Sequence, residues 1–289
     1  MKVTEKDIEL TEEEFQANVN EIFAELALCA TKVENPEFVL VGGQAGSGKS
    51  VLVAKENENL EGNAIIINQD ELRTKYPREK YKLIHDNCTE REEFLLLKPY
   101  MSRLIVEIEK RAKEGKYNLV WETALRSVKS FIETIKDLKN EGYSTKLSIL
   151  AVPEVEGNIS MLTRYCYYLE KFGECRRNTK IDPESVKHIR ENIKMFDELN
   201  LFDDIVVSRR GEERDSLPIQ TYSKKEFPNI TPVQAYNIAE QESYNDTKKN
   251  FAERYNEIKT ILEKYNDEEQ LKKLESIKNT FQEINHEME

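Results

Sequence analysis

The segment Gly43-Gln44-Ala45-Gly46-Ser47-Gly48-Lys49-Ser50 matches the complete GxxxxGK[ST] pattern. Its glycines let successive backbone N–H groups curl around phosphate oxygens, a following helix adds its positive end, and Lys49 can reach the β- and γ-phosphates. The Ser50 hydroxyl is of the kind that ligates Mg²⁺ beside a triphosphate. Such a loop binds a nucleoside triphosphate, but hydrolases, switches, motors and small-molecule kinases all use it. Other residues must decide among them.

Two carboxylates stand where apolar runs end. Ile65-Ile66-Ile67-Asn68-Gln69-Asp70 brings Asp70 to the end of a buried run. There it can act as a general base on an acceptor hydroxyl or as the N-cap of a helix beginning Glu71-Leu72. Leu119-Val120-Trp121 leads in the same way to Glu122. Glu122 can bind a substrate hydroxyl, hold Mg²⁺ through water, or form a structural pair with Arg126. Arg164, Arg176 and Arg177 follow later in the chain. They suit either a lid that neutralises a transferring phosphoryl group or a charge-rich surface helix. Tyr165, Tyr167 and Tyr168 read as packing residues. The three histidines and the scattered Cys29, Cys88, Cys166 and Cys175 form no zinc or disulfide spacing.

These residues need a frame at the carboxyl ends of parallel strands. Buried strands are expected at Phe38 to Val41, Ala64 to Ile67, Tyr117 to Trp121, Thr145 to Val152 and Ile205 to Val207. Between them lie helical stretches, Ser50 to Asn59, Asn87 to Glu114 with a break near Pro99, Val128 to Lys139, Val155 to Phe172 and Pro183 to Leu199. This alternation predicts an α/β fold, a P-loop kinase-like parallel sheet flanked by helices. Before it, Thr11 and Glu14 suit a capping box for a helix whose apolar stripe runs from Phe15 to Ala30. After about Pro232 glycine disappears, and apolar residues at helical intervals predict a helical hairpin packed on the core. The organisation expected is an N-terminal helical segment at 1–35, a kinase core at 36–231 with lid helices around 155–182, and a helical accessory tail at 232–289.

A formal net charge of −12 argues against a nucleic-acid partner. No apolar run approaches the ~20 residues of a membrane span, and the start carries no secretory pattern, so a cytoplasmic protein is expected.

The runs LVGGQAGSGKS, INQDELRTKYP, YNLVWETALR and GYSTKLSILAVP, followed by TRY ahead of Arg177, occur in one order and spacing. In these, from about Phe38 to about Val207, the chain resembles the bacterial zeta toxin family. The resemblance implies an enzyme that uses ATP and Mg²⁺ to phosphorylate the sugar 3′-hydroxyl of UDP-N-acetylglucosamine, and a small helical antitoxin as partner. It implies Lys49 on the phosphates, Ser50 on Mg²⁺, Asp70 as base, Arg164 and Arg177 on the γ-phosphate, and Gln69, Glu122 and Arg126 on the substrate side. The N-terminal stripe is either the antitoxin contact or a helix face packed permanently across the sheet.

The chain departs from the family on the substrate side. Where the family reads Glu-Gly-Thr-Gly-Arg, it has Glu122-Thr123-Ala124-Leu125-Arg126, and Val106 falls opposite a family glutamate, with Glu107 one position away. A different nucleotide sugar, an antibiotic or a metabolite hydroxyl therefore stays open as acceptor. So does an ATP-dependent interaction module without catalysis.

Overall fold

The computed structural model describes residues 3–125, 129–175, 179, 183–211 and 217–288. Its elements are α1 (Glu5–Ile8), α2 (Glu12–Leu26), β1 (Glu37–Gly42), α3 (Lys49–Asn59), β2 (Ala64–Ile67), α4 (Gln69–Arg73), α5 (Arg78–Asn87), α6 (Glu90–Gly115), β3 (Asn118–Thr123), α7 (Lys129–Asn140), β4 (Ser144–Ala151), α8 (Glu154–Phe172), α9 (Pro183–Glu198), β5 (Asp204–Arg209), β6 (Ile219–Ser223), α10 (Pro232–Lys264) and α11 (Glu268–Met288). The strands are ordered β2-β3-β1-β4-β5-β6. The backbone divides into two compact units. One comprises Met1–Val41, Val53–Thr123 and Phe131–Lys146, and the other Gly42–Leu52, Ala124–Ser130 and Leu147–Glu289.

In the first unit the strands are buried because their apolar residues are continuous rather than alternating. Phe38, Val39, Leu40, Ile65, Ile67, Leu119 and Val120 are all fully buried. β2 and β3 pair in parallel, from Ala64 opposite Asn118 to Ile67 opposite Trp121, which brings Asn68 and Glu122 to the same end. The third strand runs to Thr123 rather than stopping at Trp121, so Glu122 belongs to the strand itself.

Thr11 and Glu14 do form the capping box of α2. Its stripe is covered within the unit at Phe15, Val19 and Ile22 and half-buried at Phe23 and Leu26. Phe15, Val19 and Ile22 are buried, Phe15 meets Tyr100 edge-on, and the Arg103 guanidinium lies 4.0 Å from the Phe15 ring centre. The break expected near Pro99 is also absent, since α6 runs through it unbroken. Pro99 lies on the exposed side of α6, where water can take the freed carbonyl, while Leu97, Met101, Leu104, Ile105 and Ile108 hold the buried side.

In the second unit β5 and β6 pair antiparallel, with an irregularity between Val207 and Ser208. This sixth strand makes the sheet mixed rather than wholly parallel. It escapes an apolar-run search because only Tyr222 and Ser223 of its residues are buried. The tail folds as the expected hairpin. α10 packs on β5, α8, α9 and α11, and the chain turns at Asn266, whose φ of 54° suits asparagine. Val155, Ile159, Leu162 and Cys166 of α8 share one apolar cluster with Tyr244, Phe251, Tyr255, Ile258 and Leu262 of α10 and Leu274 of α11. Cys166 is therefore a core residue, and burial pushes its thiol up to about 12.

Candidate active site

The phosphate loop belongs to the second unit, between β1 and α3, and rests on the start of α8. The fully buried Gln44 donates its amide to the carbonyls of Val152 at 3.0 Å and Pro153 at 2.9 Å. Lys49 Nζ donates to Gln44 O at 2.8 Å, which holds the ammonium on the loop it serves. Gly46 has φ of 74° and approaches α8 so closely that a Cβ there would lie 2.9 Å from the Gly157 carbonyl carbon, nearer still to its oxygen, and 3.0 Å from Met161 Cγ. Gly157, Met161 and Arg164 follow one another at spacings of four and three, so they share one stripe of α8. The exposed Arg164 thus stands on the helix stripe that meets the loop.

Two buried oxygens of the loop, Gln44 Oε1 and Ser47 Oγ, have no hydrogen-bond partner among the described residues. Ser50 is exposed in the first turn of α3. The helix N-terminus, the positive-φ turn and the hydroxyls fit a Mg²⁺–triphosphate. Among the described residues no group of three or more His, Cys, Asp or Glu side chains is placed to hold a metal ion. Mg²⁺ bound mainly through phosphate oxygens and one hydroxyl needs no such cage.

The first unit carries the carboxylates. Asp70 is exposed in the first turn of α4, its side chain 84% accessible. It is not the cap of that helix. Asn68 is, with its Oδ1 accepting from Asp70 N at 3.0 Å and Glu71 N at 3.3 Å. The other end of the same amide donates to Glu122 Oε2 at 3.0 Å. Asn68 therefore ties the ends of β2 and β3 together and orients Glu122, a role that sequence reasoning missed. An asparagine between an apolar strand and a helix is an N-cap signature, and that signal could have found it. Gln69 is exposed at the first position of α4.

After Thr123 the chain enters the second unit with Ala124 and Leu125. Leu125 has φ of 51°, a left-handed conformation costly for a branched side chain, and is 1% exposed. It sits so close above Gly42 that a Cβ there would lie 2.7 Å from Leu125 Cγ, and Asn192 of α9 donates to its carbonyl. The position where the family pattern has glycine thus keeps a backbone suited to glycine, and packing compensates for the side chain. Arg126 and Arg177 lie outside the described residues.

A strand, a complete phosphate loop and a helix in that order define a P-loop nucleotide-binding protein. Comparison with known proteins makes this specific. A zeta toxin family profile matches residues 19–220. Toxin zeta of Streptococcus pyogenes is 30% identical over 230 residues, 78% of this chain and 76% of that one. Toxin PezT of Streptococcus pneumoniae serotype 4 is 27% identical over 179 residues, 61% of this chain and 70% of that one. A solved chain from the PezAT chromosomal toxin–antitoxin system of Streptococcus pneumoniae shares the fold. It has a TM-score of 0.74 and 22% identity, covering 87% of this chain and 98% of that one. The chain belongs to the zeta toxin family and is an ATP-dependent phosphotransferase of the toxin–antitoxin kind. No helix among the described residues is long and apolar enough to cross a membrane.

Proposed function

We propose that the chain transfers the γ-phosphoryl group of ATP to the sugar 3′-hydroxyl of UDP-N-acetylglucosamine. The observation that carries the assignment of the base is the division of labour at the end of β2. Asn68 caps α4, which leaves the exposed Asp70 carboxylate out of the capping bonds. In this reading Asp70 accepts the hydroxyl proton as the sugar oxygen attacks the γ-phosphorus. The bond from that phosphorus to the β,γ-bridging oxygen breaks, and ADP leaves. Lys49 and the phosphate loop hold the triphosphate, and Arg164 and Arg177 balance charge on the transferring group. Ser50 is the residue that would hold Mg²⁺, whose chemistry is to neutralise the β- and γ-oxygens. Gln69, Glu122 and Arg126 bind the sugar nucleotide, with Glu122 oriented by Asn68.

Incubation with ATP, Mg²⁺ and UDP-N-acetylglucosamine should yield ADP and a sugar nucleotide heavier by one phosphoryl group. Asp70→Asn should bind ATP as the parent does and lose about 10²–10⁴-fold in turnover. Full turnover by that variant would reject Asp70 as the base.

A second reading keeps the chemistry and changes the acceptor to another nucleotide sugar. The buried, left-handed Leu125 beside Ala124 favours it, because this segment departs from the family on the substrate side. A mass-shift screen of UDP-sugars, antibiotics and metabolites separates the two. The partner in this proposal is a small protein antitoxin, supported by the relative from a toxin–antitoxin system. Co-purification with the product of an adjacent small reading frame tests this.

A further inference from the structure

The helical tail supplies none of the residues assigned above, yet it grips the helix on which the phosphate loop rests. Glu156, in the first turn of α8, is 4% exposed. Its carboxylate accepts from Arg254 Nη1 at 2.8 and 2.7 Å and from Arg210 Nη1 at 2.5 Å. It also accepts from Ser160 Oγ at 2.7 Å and Thr247 Oγ1 at 3.0 Å. Arg254 and Thr247 belong to α10, and Arg210 follows β5. The next residue, Gly157, is the one against which Gly46 packs, and Val152 and Pro153 just before the helix receive the Gln44 amide.

The first turns of α8 therefore carry the loop on one stripe, Gly157 and Met161, and the tail on another, Glu156 and Ser160. Pro153 precedes this helix without a side-chain cap, so its start is held by packing and by these bonds. Burial works against the charge on Glu156, but Arg254 and Arg210 outweigh it and hold the carboxyl below its ordinary value. The group is ionised at neutral pH and keeps both guanidiniums engaged.

We infer that Arg254 and Thr247, acting through Glu156, are positioning residues for the phosphate loop: the tail sets the seat on which the loop holds ATP. Both lie beyond residue 220, where the match to the family profile ends. The inference rests on the loop being the ATP site and is independent of the acceptor.

ATP binding by the full-length chain, with Mg²⁺ and no acceptor, is measured by titration calorimetry beside a thermal unfolding curve for each variant. Arg254→Ala should bind ATP about fivefold or more weakly, Thr247→Val about two- to threefold more weakly, and Arg254→Lys should recover part of the loss. Phe281→Ala removes a ring stacked at 3.9 Å on Phe251, an apolar contact of the same tail whose loss leaves the bonds to Glu156 in place. It should lower the melting temperature and leave ATP affinity unchanged. Binding by both Arg254→Ala and Thr247→Val within about twofold of the parent would overturn the inference, as would equal loss of affinity in Phe281→Ala at matched stability. Should Arg254→Ala fail to fold, Thr247→Val and Arg254→Lys carry the test. A parent chain that bound no ATP would refute the loop assignment itself, and the inference with it.

Discussion

Replacing Gly46 by alanine probes the seat of the phosphate loop directly. The position has φ of 74°, and the added Cβ would lie 2.9 Å from the Gly157 carbonyl carbon, closer to its oxygen, and 3.0 Å from Met161 Cγ. Ordinary van der Waals contact begins at 3.4 Å, and the nearest obstacle is backbone, which cannot swing aside. The loop must therefore lift from α8 by ~1 Å, and a misplacement of that size at a reacting group costs on the order of 100-fold in rate. The left-handed conformation adds about 1–2 kcal/mol of strain. Gly62→Ala isolates that strain, because Gly62 has φ of 73° and a Cβ added there would meet no atom within 4 Å. Gly62→Ala should lower the melting temperature by about 2–4 °C and leave ATP turnover unchanged. Gly46→Ala should lose a similar amount of stability, about 100-fold in kcat/KM for ATP, and much of its ATP affinity in calorimetry. If Gly46→Ala turned over ATP within about threefold of the parent, contact with α8 would not set the loop's position.

Asn68→Ala removes a helix cap and the donor to Glu122, so it should cost about 1–2 kcal/mol in urea unfolding and raise the KM for the acceptor; Asn68→Asp should keep the cap while still raising that KM. Leu125→Ala should destabilise by about 2–5 kcal/mol, and Leu125→Gly by about 1 kcal/mol less, reversing the usual order because glycine relieves the left-handed strain. The depressed pKa of Glu156 means that the folded state binds fewer protons than the unfolded chain. Its contribution to stability is whole above the ordinary glutamate value of 4.5 and is lost as pH falls below that, through the folded value. Glu156→Gln should cost about 3 kcal/mol at neutral pH, and its melting temperature should fall less steeply than the parent's on acidification below about pH 4.5.

What the sequence makes legible depends on whether a local signal carries the feature. The phosphate loop and the buried strands are legible because each is written in consecutive residues: a glycine pattern in one case, and runs such as Ile65 to Ile67 in the other. Thr11 with Glu14 is legible for the same reason, since both halves of the cap lie within one turn. The stripe from Phe15 is legible as a stripe, but its partner is not. Periodicity shows that a helix face must be covered and leaves open whether Tyr100 and Arg103 of the same chain or a second protein covers it. The edge strand β6 fails the search because a half-exposed strand has no apolar run to find.

The site divides along the same line. Lys49 and Ser50 announce themselves by motif, and Asp70 and Glu122 by standing at the ends of apolar runs. Asn68 does not, because its function is the joining of residues far apart in the chain, and its side chain does two ordinary jobs at once. Glu156 is the extreme case. Among 55 acidic residues nothing in its neighbours separates it from those on solvated helix faces. Only the fold brings Arg210 and Arg254 onto it, across separations of 54 and 98 residues. A buried carboxylate between two guanidiniums must be built complete or it destabilises, because removing one partner leaves an uncompensated charge. The negative charge of the whole chain therefore says little about either place where charge is used. At the loop, the proposed reading gives Lys49 and Arg164 to phosphate, whereas at Glu156 two arginines hold the helix beneath it.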